Sequence, residues 1–431
     1  MPTAAYHTLG CKVNQYDTQA MEEILSAAGW KTVPFPADAD VYLLNTCTVT
    51  GTGDKKSLQL IRKLKREHPE SKLIVCGCLA QLRGRELLDT GADLILGTQR
   101  RMEIASFLSE VIRTGKPLCV VGSVDQIKEY EKLSISCHND HTRATLKIQE
   151  GCGNRCSYCV IPLVRGPIRS RPLADIVEES RRLADAGFCE IVLTGIHLSS
   201  YGKDLDCNIS LINVITELQR VNGILRIRLG SLEPTVIDPV FADSLRITDK
   251  VCPQFHLALQ SGSDSVLRRM RRRYNVTQYL NAVDDIRNVF PHAAITTDIL
   301  TGFPGETKAE FLETENMIRK VGFARIHVFP YSPRPFTEAA DMPGQLNDAV
   351  RQDRARKLIS VGDETAQLYR RTWYNHETEL LPEEVINGCW EGYTPEYLRV
   401  RLAPGISCNS GIPVRIRIVD VDQPTVVGEI I

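Results

Sequence analysis

Across its 431 residues the sequence has no apolar run approaching the ~18 that a membrane span needs, and the longest, Leu73 to Ala80, is strand-sized. No cationic, apolar leader precedes Tyr6, so a soluble cytoplasmic protein is expected. Cysteine is too sparse for a disulfide scaffold: 14 residues, about 3% of the chain against the ~8–10% of such scaffolds. Reduced thiols in a reducing compartment are better suited to metal or redox chemistry than to bridges. Net charge is also missing, since 52 Lys+Arg balance 53 Asp+Glu to leave -1. That excludes a bulk polycation but not local basic patches. What is there is core material, 43% hydrophobic residues, in a length that suits about three domains of ~150 residues.

From Pro2 to Gly115 short β-branched runs alternate with helical stretches, the pattern of an open parallel α/β sheet. Three strands, Ala4–Leu9, Val41–Asn45 and Lys72–Val75, are each followed at once by cysteine in a turn-like setting. In such a sheet the carboxyl ends of the strands share one edge, so Cys11, Cys47 and a third thiol can meet there. Cys76 and Cys78 compete for the third place, and Cys78 is preferred because it follows the glycine that turns the chain out of the strand. Zinc would want a fourth ligand, for which His7 is the nearby candidate. Three thiols without one suit an iron–sulfur cluster with an open iron better. Lys55-Lys56 and Arg62-Lys63-x-Lys65-Arg66 form a basic helix that reads either as a solvated face or as a phosphate-contacting surface.

Asp125 to His141 is polar and aperiodic and reads as a linker. Beyond it the strand Ala144–Gln149 leads into Gly151-Cys152-Gly-Asn-Arg-Cys156-Ser-Tyr158-Cys159, a C-x3-C-x2-C loop with no second pair to complete a zinc module. Three thiolates so close can hold three corners of a cubane and leave the fourth iron bare. With its aromatic Tyr158, this loop resembles that of the radical S-adenosylmethionine superfamily. Strand-like segments recur at Glu190–Leu193, Leu225–Leu229, Phe255–Leu259, Ile295–Leu300 and Ala324–Phe329. Six β/α units predict a partial (βα)6 barrel with its site at the carboxyl ends of the strands. Arg268, Arg269, Arg271, Arg272 and Arg273 crowd a helix end, with Arg165, Arg169 and Arg171 beyond the cysteine loop. Such concentration within a neutral chain predicts an anionic partner, and nucleic acid fits.

Between Pro333 and Gly344 prolines and glycines thicken, and Gln345 to Tyr374 reads as a charged helix. Leu398–Leu402, Val414–Ile418 and Thr425–Ile431 then alternate with period two, punctuated by Gly392, Gly405 and Gly411. A small β-barrel is expected, with Arg399, Arg401, Arg415 and Arg417 facing outward toward single-stranded or looped RNA. Tyr393 and Tyr397 are candidates for base stacking or for core.

In this order the three regions resemble the tRNA methylthiotransferase family over nearly the whole chain. Leu193–Gly202, Ser231–Pro234 and His256–Asp264 are most similar to the subgroup acting on N6-threonylcarbamoyladenosine. The isopentenyladenosine-tRNA and ribosomal-protein subgroups are the alternatives. The resemblance implies three domains: 2–115 with an auxiliary cluster, 138–370 as the radical core, and 371–431 as a TRAM-like antiparallel barrel. It implies two [4Fe-4S] clusters, the auxiliary one on Cys11, Cys47 and Cys78 and the radical one on Cys152, Cys156 and Cys159. S-adenosylmethionine would serve both as methyl donor and as radical source. Tyr158, Thr194, Gly195, Ser231, Glu233, Gln260, Asp298 and Gly302 would line its site. Arg165, Arg268, Arg269, Arg271, Arg399 and Arg401 would meet RNA, Arg165 being also a candidate for the threonylcarbamoyl carboxylate. The implied partners are the tRNA anticodon stem-loop, an electron donor such as flavodoxin or ferredoxin, and a sulfur source, for a monomeric enzyme away from membranes. The other eight cysteines (Cys76, Cys119, Cys137, Cys189, Cys207, Cys252, Cys389 and Cys408) default to small buried or incidental thiols.

Overall fold

A computed structural model of the chain describes residues 1–136, 142–206, 209–246 and 248–431. Cys137 and Cys207 lie outside the described residues. The N-terminal sheet is parallel, ordered β2-β1-β3-β4-β5-β6, from β1 (Thr3–Thr8), β2 (Lys31–Val33), β3 (Val41–Thr46), β4 (Lys72–Gly77), β5 (Leu94–Leu96) and β6 (Leu118–Val120). Every residue of β3 is buried, because helices cover both faces of a parallel sheet. One covering helix, Gly51–Glu67, is set locally: Thr50 accepts from the Gly53 amide at 3.1 Å, and Lys65 and Arg66 close its last turn, where cations suit the helix dipole.

The central unit comprises β7 (Ala144–Glu150), β8 (Arg169–Ser170), β9 (Glu190–Gly195), β10 (Arg226–Leu229), β11 (Gln254–His256), β12 (Ala294–Thr301) and β13 (Arg325–Pro330). Two sheets, β10-β9-β7-β8 and β11-β12-β13, are stitched by the parallel bridges Ile227 to Val251 and Leu232 to Leu257. The result is an open partial barrel of six parallel strands, with β8 as an antiparallel edge. Leu146, Ile148, Ile191, Leu193, Ile227 and Leu229 point outward into one apolar core beneath the helices. Their alternates Lys147, Gln149, Glu190 and Arg228 are buried on the inner face. Buried charge of that kind must be paired, and part of the pairing comes from the flanking units. Lys147 meets Asp17 of the N-terminal helix Lys12–Ala27 at 2.5 Å. Arg228 meets Glu190 at 2.7 Å and donates to the carbonyls of Thr394 and Pro395 at 3.2 and 2.8 Å. The described part of the segment expected to be a linker packs against the barrel as well, with Leu133 and Ile135 in the central core.

The C-terminal unit is a closed barrel, β14-β15-β16-β18-β17, built from β14 (Glu377–Ile386), β15 (Cys389–Tyr393), β16 (Arg399–Leu402), β17 (Val414–Asp420) and β18 (Val426–Ile430). It departs from expectation in three ways. β14 and β15 were not anticipated, because the glutamates and Pro382 of β14 conceal its alternation, and a bulge at Pro382/Glu384 breaks its register. Gly392 does not end a strand but lies inside β15, where a Cβ would come 1.9 Å from the Leu381 carbonyl oxygen. The barrel is also not wholly antiparallel, since β16 and β18 pair in parallel. Among the described residues no helix is long and apolar enough to cross a membrane.

Candidate active site

Cys11, Cys47 and Cys78 stand at the carboxyl ends of β1, β3 and β4. Glycines let those ends approach: a Cβ on Gly10 would lie 2.9 Å from the Cys47 Cβ, and one on Gly77, whose φ is +90°, would reach 2.3 Å from Asn45 Oδ1. Burial pushes the Cys78 thiol up to about 11; the Arg165 guanidinium opposes the shift, while Cys11 and Cys47, close enough to repel it, add to it. Arg165 Nε donates to Cys78 Sγ at 3.2 Å. Cys76, two residues earlier, turns into the apolar core beside Ile74, Leu94 and Leu96 and donates to the Leu44 carbonyl at 3.6 Å. His7 stacks on Phe35 with ring centroids 4.6 Å apart, and among the described residues no group of ligands for a single zinc ion forms there.

The second triad follows β7. Cys152 is held by its amide to the Gly166 carbonyl at 3.0 Å, and Cys159 by its amide to the Cys156 carbonyl at 3.0 Å. Burial pushes Cys159 up to about 12 and Cys152 upward as well, with Arg272 as the opposing charge at both. Arg272 Nη1 donates to Cys156 Sγ at 3.2 Å. Each triad thus has one guanidinium donating to one of its sulfurs, the positive charge that opposes burial and would help hold the thiolates that iron ligands must be. Among the described residues no three His, Cys, Asp or Glu side chains converge closely enough for a single metal ion. A cubane, in which each thiolate takes a different iron, fits this donor set better than a zinc tetrahedron does.

Of the other expected residues, Tyr158 lies in the cysteine loop, Asp298 inside β12, and the rest at strand ends or in the loops that follow them. Glu233 is 6% exposed and receives His197 Nε2 at 3.1 Å, Asn154 Nδ2 at 3.2 Å and Arg272 Nη2 at 2.9 Å. Burial alone would raise its carboxyl, but the His197 hydrogen bond and the Arg272 charge bring it down to about 2. Thr194 is buried at the end of β9, and Gly195 lets Gln149 approach, where a Cβ would meet Gln149 Oε1 at 2.9 Å. Tyr158 packs edge-on to Phe303 at 6.4 Å. Gln260, at φ +66°, gives its amide to the Asp298 carbonyl at 2.9 Å. Asp298 pairs with His256 at 3.3 Å. The Gly302 amide donates to Glu306 at 2.8 Å, while Ser231 is exposed and makes none of these contacts.

The basic residues fare unevenly. Arg165 is corrected: it is wholly buried, so it cannot touch RNA or a substrate carboxylate. Its guanidinium is spent on Cys78, on Glu150 at 2.7 Å, on Asp17 at 3.1 Å and on Asn14. Glu150 immediately precedes Gly151-Cys152, so Arg165 joins the two triads' loops. Arg169 and Arg171 are buried too. In the arginine run, Arg269 is tied to Glu310 at 2.9 Å and Arg271 to Glu338 at 2.7 Å, while Arg268 is exposed. Arg399 and Arg401 lie on the barrel wall and share Glu391, at 2.7 and 2.6 Å. Tyr393 and Tyr397 stack on each other at 4.5 Å, with Arg143 over both rings.

Sequence reasoning passed over His197, Asn154 and the bridge from Arg334 to Asp54, which spans 2.6 Å between the central unit and the helix behind Cys47. For His197 a signal existed: it sits three residues past Thr194, in the same strand-end loop. Arg334 carried none.

Residues 3–97 match the model of an uncharacterized protein family, UPF0004, and residues 146–318 that of the radical SAM superfamily. The chain is 39% identical to the threonylcarbamoyladenosine tRNA methylthiotransferase of Bacillus subtilis, over 100% of this chain and 97% of that one. It is 36% identical to the enzyme of the same name from Thermotoga maritima, over 93% and 91%. It is also 36% identical to the tRNA-2-methylthio-N(6)-dimethylallyladenosine synthase of Natranaerobius thermophilus, over 88% and 85%. Among solved structures, the radical S-adenosylmethionine methyltransferase TsrM from Kitasatospora setae shares the fold, with a TM-score of 0.58 at 15% identity over 79% of this chain and 77% of that one.

Proposed function

Since the chain belongs to the tRNA methylthiotransferase family, we propose that it places a methylthio group on carbon 2 of N6-threonylcarbamoyladenosine beside the anticodon of tRNA. The observation that supports this reading is the pair of thiol triads, each at the carboxyl edge of its own parallel sheet and each with an arginine donating to one sulfur. Cys152, Cys156 and Cys159 would hold the radical cluster, and Cys11, Cys47 and Cys78 a second, auxiliary one. When bound with S-adenosylmethionine, such clusters supply one-electron chemistry able to replace an unactivated ring hydrogen, together with an open iron to carry sulfur.

The chain's own residues do the holding. Arg272 and Arg165 oppose the burial that raises the thiols beside them, and so would help hold thiolates at their triads. Glu233, kept ionised by His197 and Arg272, presents a fixed acceptor for a cofactor amine or hydroxyl. Asp17, Lys147, Glu150 and Arg101 form a buried charge network between the two units, and with Arg334 and Asp54 they keep the triads in fixed register. No side chain here is asked to remove the carbon 2 proton, because no base could. The RNA, the electron donor, the sulfur source and the monomeric state are part of the same proposal, as are unit boundaries at 2–115, 138–370 and 371–431.

Nucleoside mass spectrometry of tRNA from a strain lacking the gene tests it. Loss of the methylthio form with the unmodified threonylcarbamoyl nucleoside retained is expected. Loss only of a methylthio-isopentenyl nucleoside would shift the substrate to that of the dimethylallyladenosine relatives.

A further inference from the structure

Residues Ser332 to Thr337 form a loop that runs into the short helix Glu338–Asp341 and is strung between the two triads. On one side the Gly51 amide donates to Ser332 Oγ at 3.2 Å, and Arg334 reaches Thr48 Oγ1 at 2.7 Å and Asp54 at 2.6 Å. Thr48 is the residue after Cys47. On the other side the Ala339 amide donates to the carbonyl of Ser157, between Cys156 and Cys159, at 2.8 Å. Arg334, Thr337 and Ala339 are buried anchors.

The tip between those anchors is a tight turn. The Thr337 amide returns to the Arg334 carbonyl at 3.2 Å, Pro335 takes the second position, and Phe336 the third at φ +68°. That third position with positive φ is one that glycine or asparagine occupies without strain, and a bulky L residue does not. No packing among the described residues repays the cost, because Phe336 is 80% exposed. A strained residue that contributes no packing points to an external partner. The surroundings say which kind. Exposed Lys55 and Lys56 lie on the helix tied to one anchor, and exposed Arg271 and Arg273 lie by the other, Arg271 paired to Glu338 and Arg273 donating to the Gly153 carbonyl at 3.4 Å. An exposed aromatic flanked by cations is how proteins hold an unstacked base of single-stranded RNA and its phosphates.

We propose that Phe336 is a positioning residue that stacks on an unpaired base of the RNA loop and so seats the neighbouring target adenosine between the triads. The inference rests on the reading of the substrate as tRNA. It predicts a separation no packing role would give. In Phe336→Gly the turn loses its strain, so melting temperature, iron content and RNA-free cleavage of S-adenosylmethionine are unchanged or improved. Affinity for an anticodon stem-loop, by fluorescence anisotropy with cluster-loaded protein, falls by about 5- to 150-fold, the range of one base–aromatic stack. Phe336→Trp restores it and Phe336→Leu does not. Equal stem-loop affinity in wild type and Phe336→Gly would overturn the inference. Failure of the wild type itself to bind the stem-loop would instead overturn the substrate reading.

Discussion

Replacing Arg165 by methionine separates two accounts of that residue. If it were a surface cation for RNA, the protein would keep its stability and lose affinity. In the structure its guanidinium is fully buried and serves Cys78, Glu150, Asp17 and Asn14. Removing one partner from a buried ion pair typically costs ~3–5 kcal/mol, because the other charge is left in a poor solvent. Here Lys147 stays 2.8 Å from Glu150, and Arg101 still pairs with Asp17, so the lower end, about 3 kcal/mol, is expected. For a cooperative unit of this size that is a fall of about 6–12 °C in melting temperature. Differential scanning calorimetry of the cluster-loaded protein measures it, and iron counting reports the lost donor at Cys78. Arg165→Lys, which keeps the charge but not the fork, should fall between the two. A methionine variant melting within 2 °C of wild type with full iron, against that ~6–12 °C, would refute the buried-tie argument.

Cys11→Ala should keep cleavage of S-adenosylmethionine but end methylthiolation, with iron falling from about eight to about four per chain; loss of both activities would contradict separate roles for the triads. Glu310 offers a pH test, since its carboxyl is held at about 2 against 4.5, chiefly by the hydrogen bond from Arg269. The stabilisation is therefore complete above pH 4.5 and lost as the pH falls toward 2, about 1–2 kcal/mol once screening at this partly open site is counted. In urea denaturation Glu310→Gln should lie below wild type by that amount at neutral pH and converge with it in acid; a gap independent of pH would be evidence against the Arg269 pair.

The parts of the fold legible in the sequence were those whose burial repeats locally. β3 reads as Val-Tyr-Leu-Leu because both its faces are covered, and β16 and β17 read as alternation because one face is. β14 escaped because its alternation carries glutamates on one side and a bulged Pro382, so the period breaks where the strand bends. Cys152, Cys156 and Cys159 were legible because one loop carries them, and Cys11, Cys47 and Cys78 because topology puts parallel strand ends on one edge. Arg165 was misread for the opposite reason. An arginine four residues from the next one looks like part of a patch, and only the tertiary fold supplies Asp17, 148 residues earlier. The same holds for Arg272, which sequence places in a run of like charge and the fold places between Glu233 and Cys156.

The most direct test of the central claim supplies the anaerobically reconstituted protein with S-adenosylmethionine, a reductant and a sulfide source. Two anticodon stem-loops are offered, one carrying N6-threonylcarbamoyladenosine and one isopentenyladenosine, and the nucleosides are read by mass spectrometry. A methylthio product is expected on the threonylcarbamoyl nucleoside alone, abolished by Cys152→Ala. Product only on the isopentenyl nucleoside, or none on either with both clusters loaded, would contradict it.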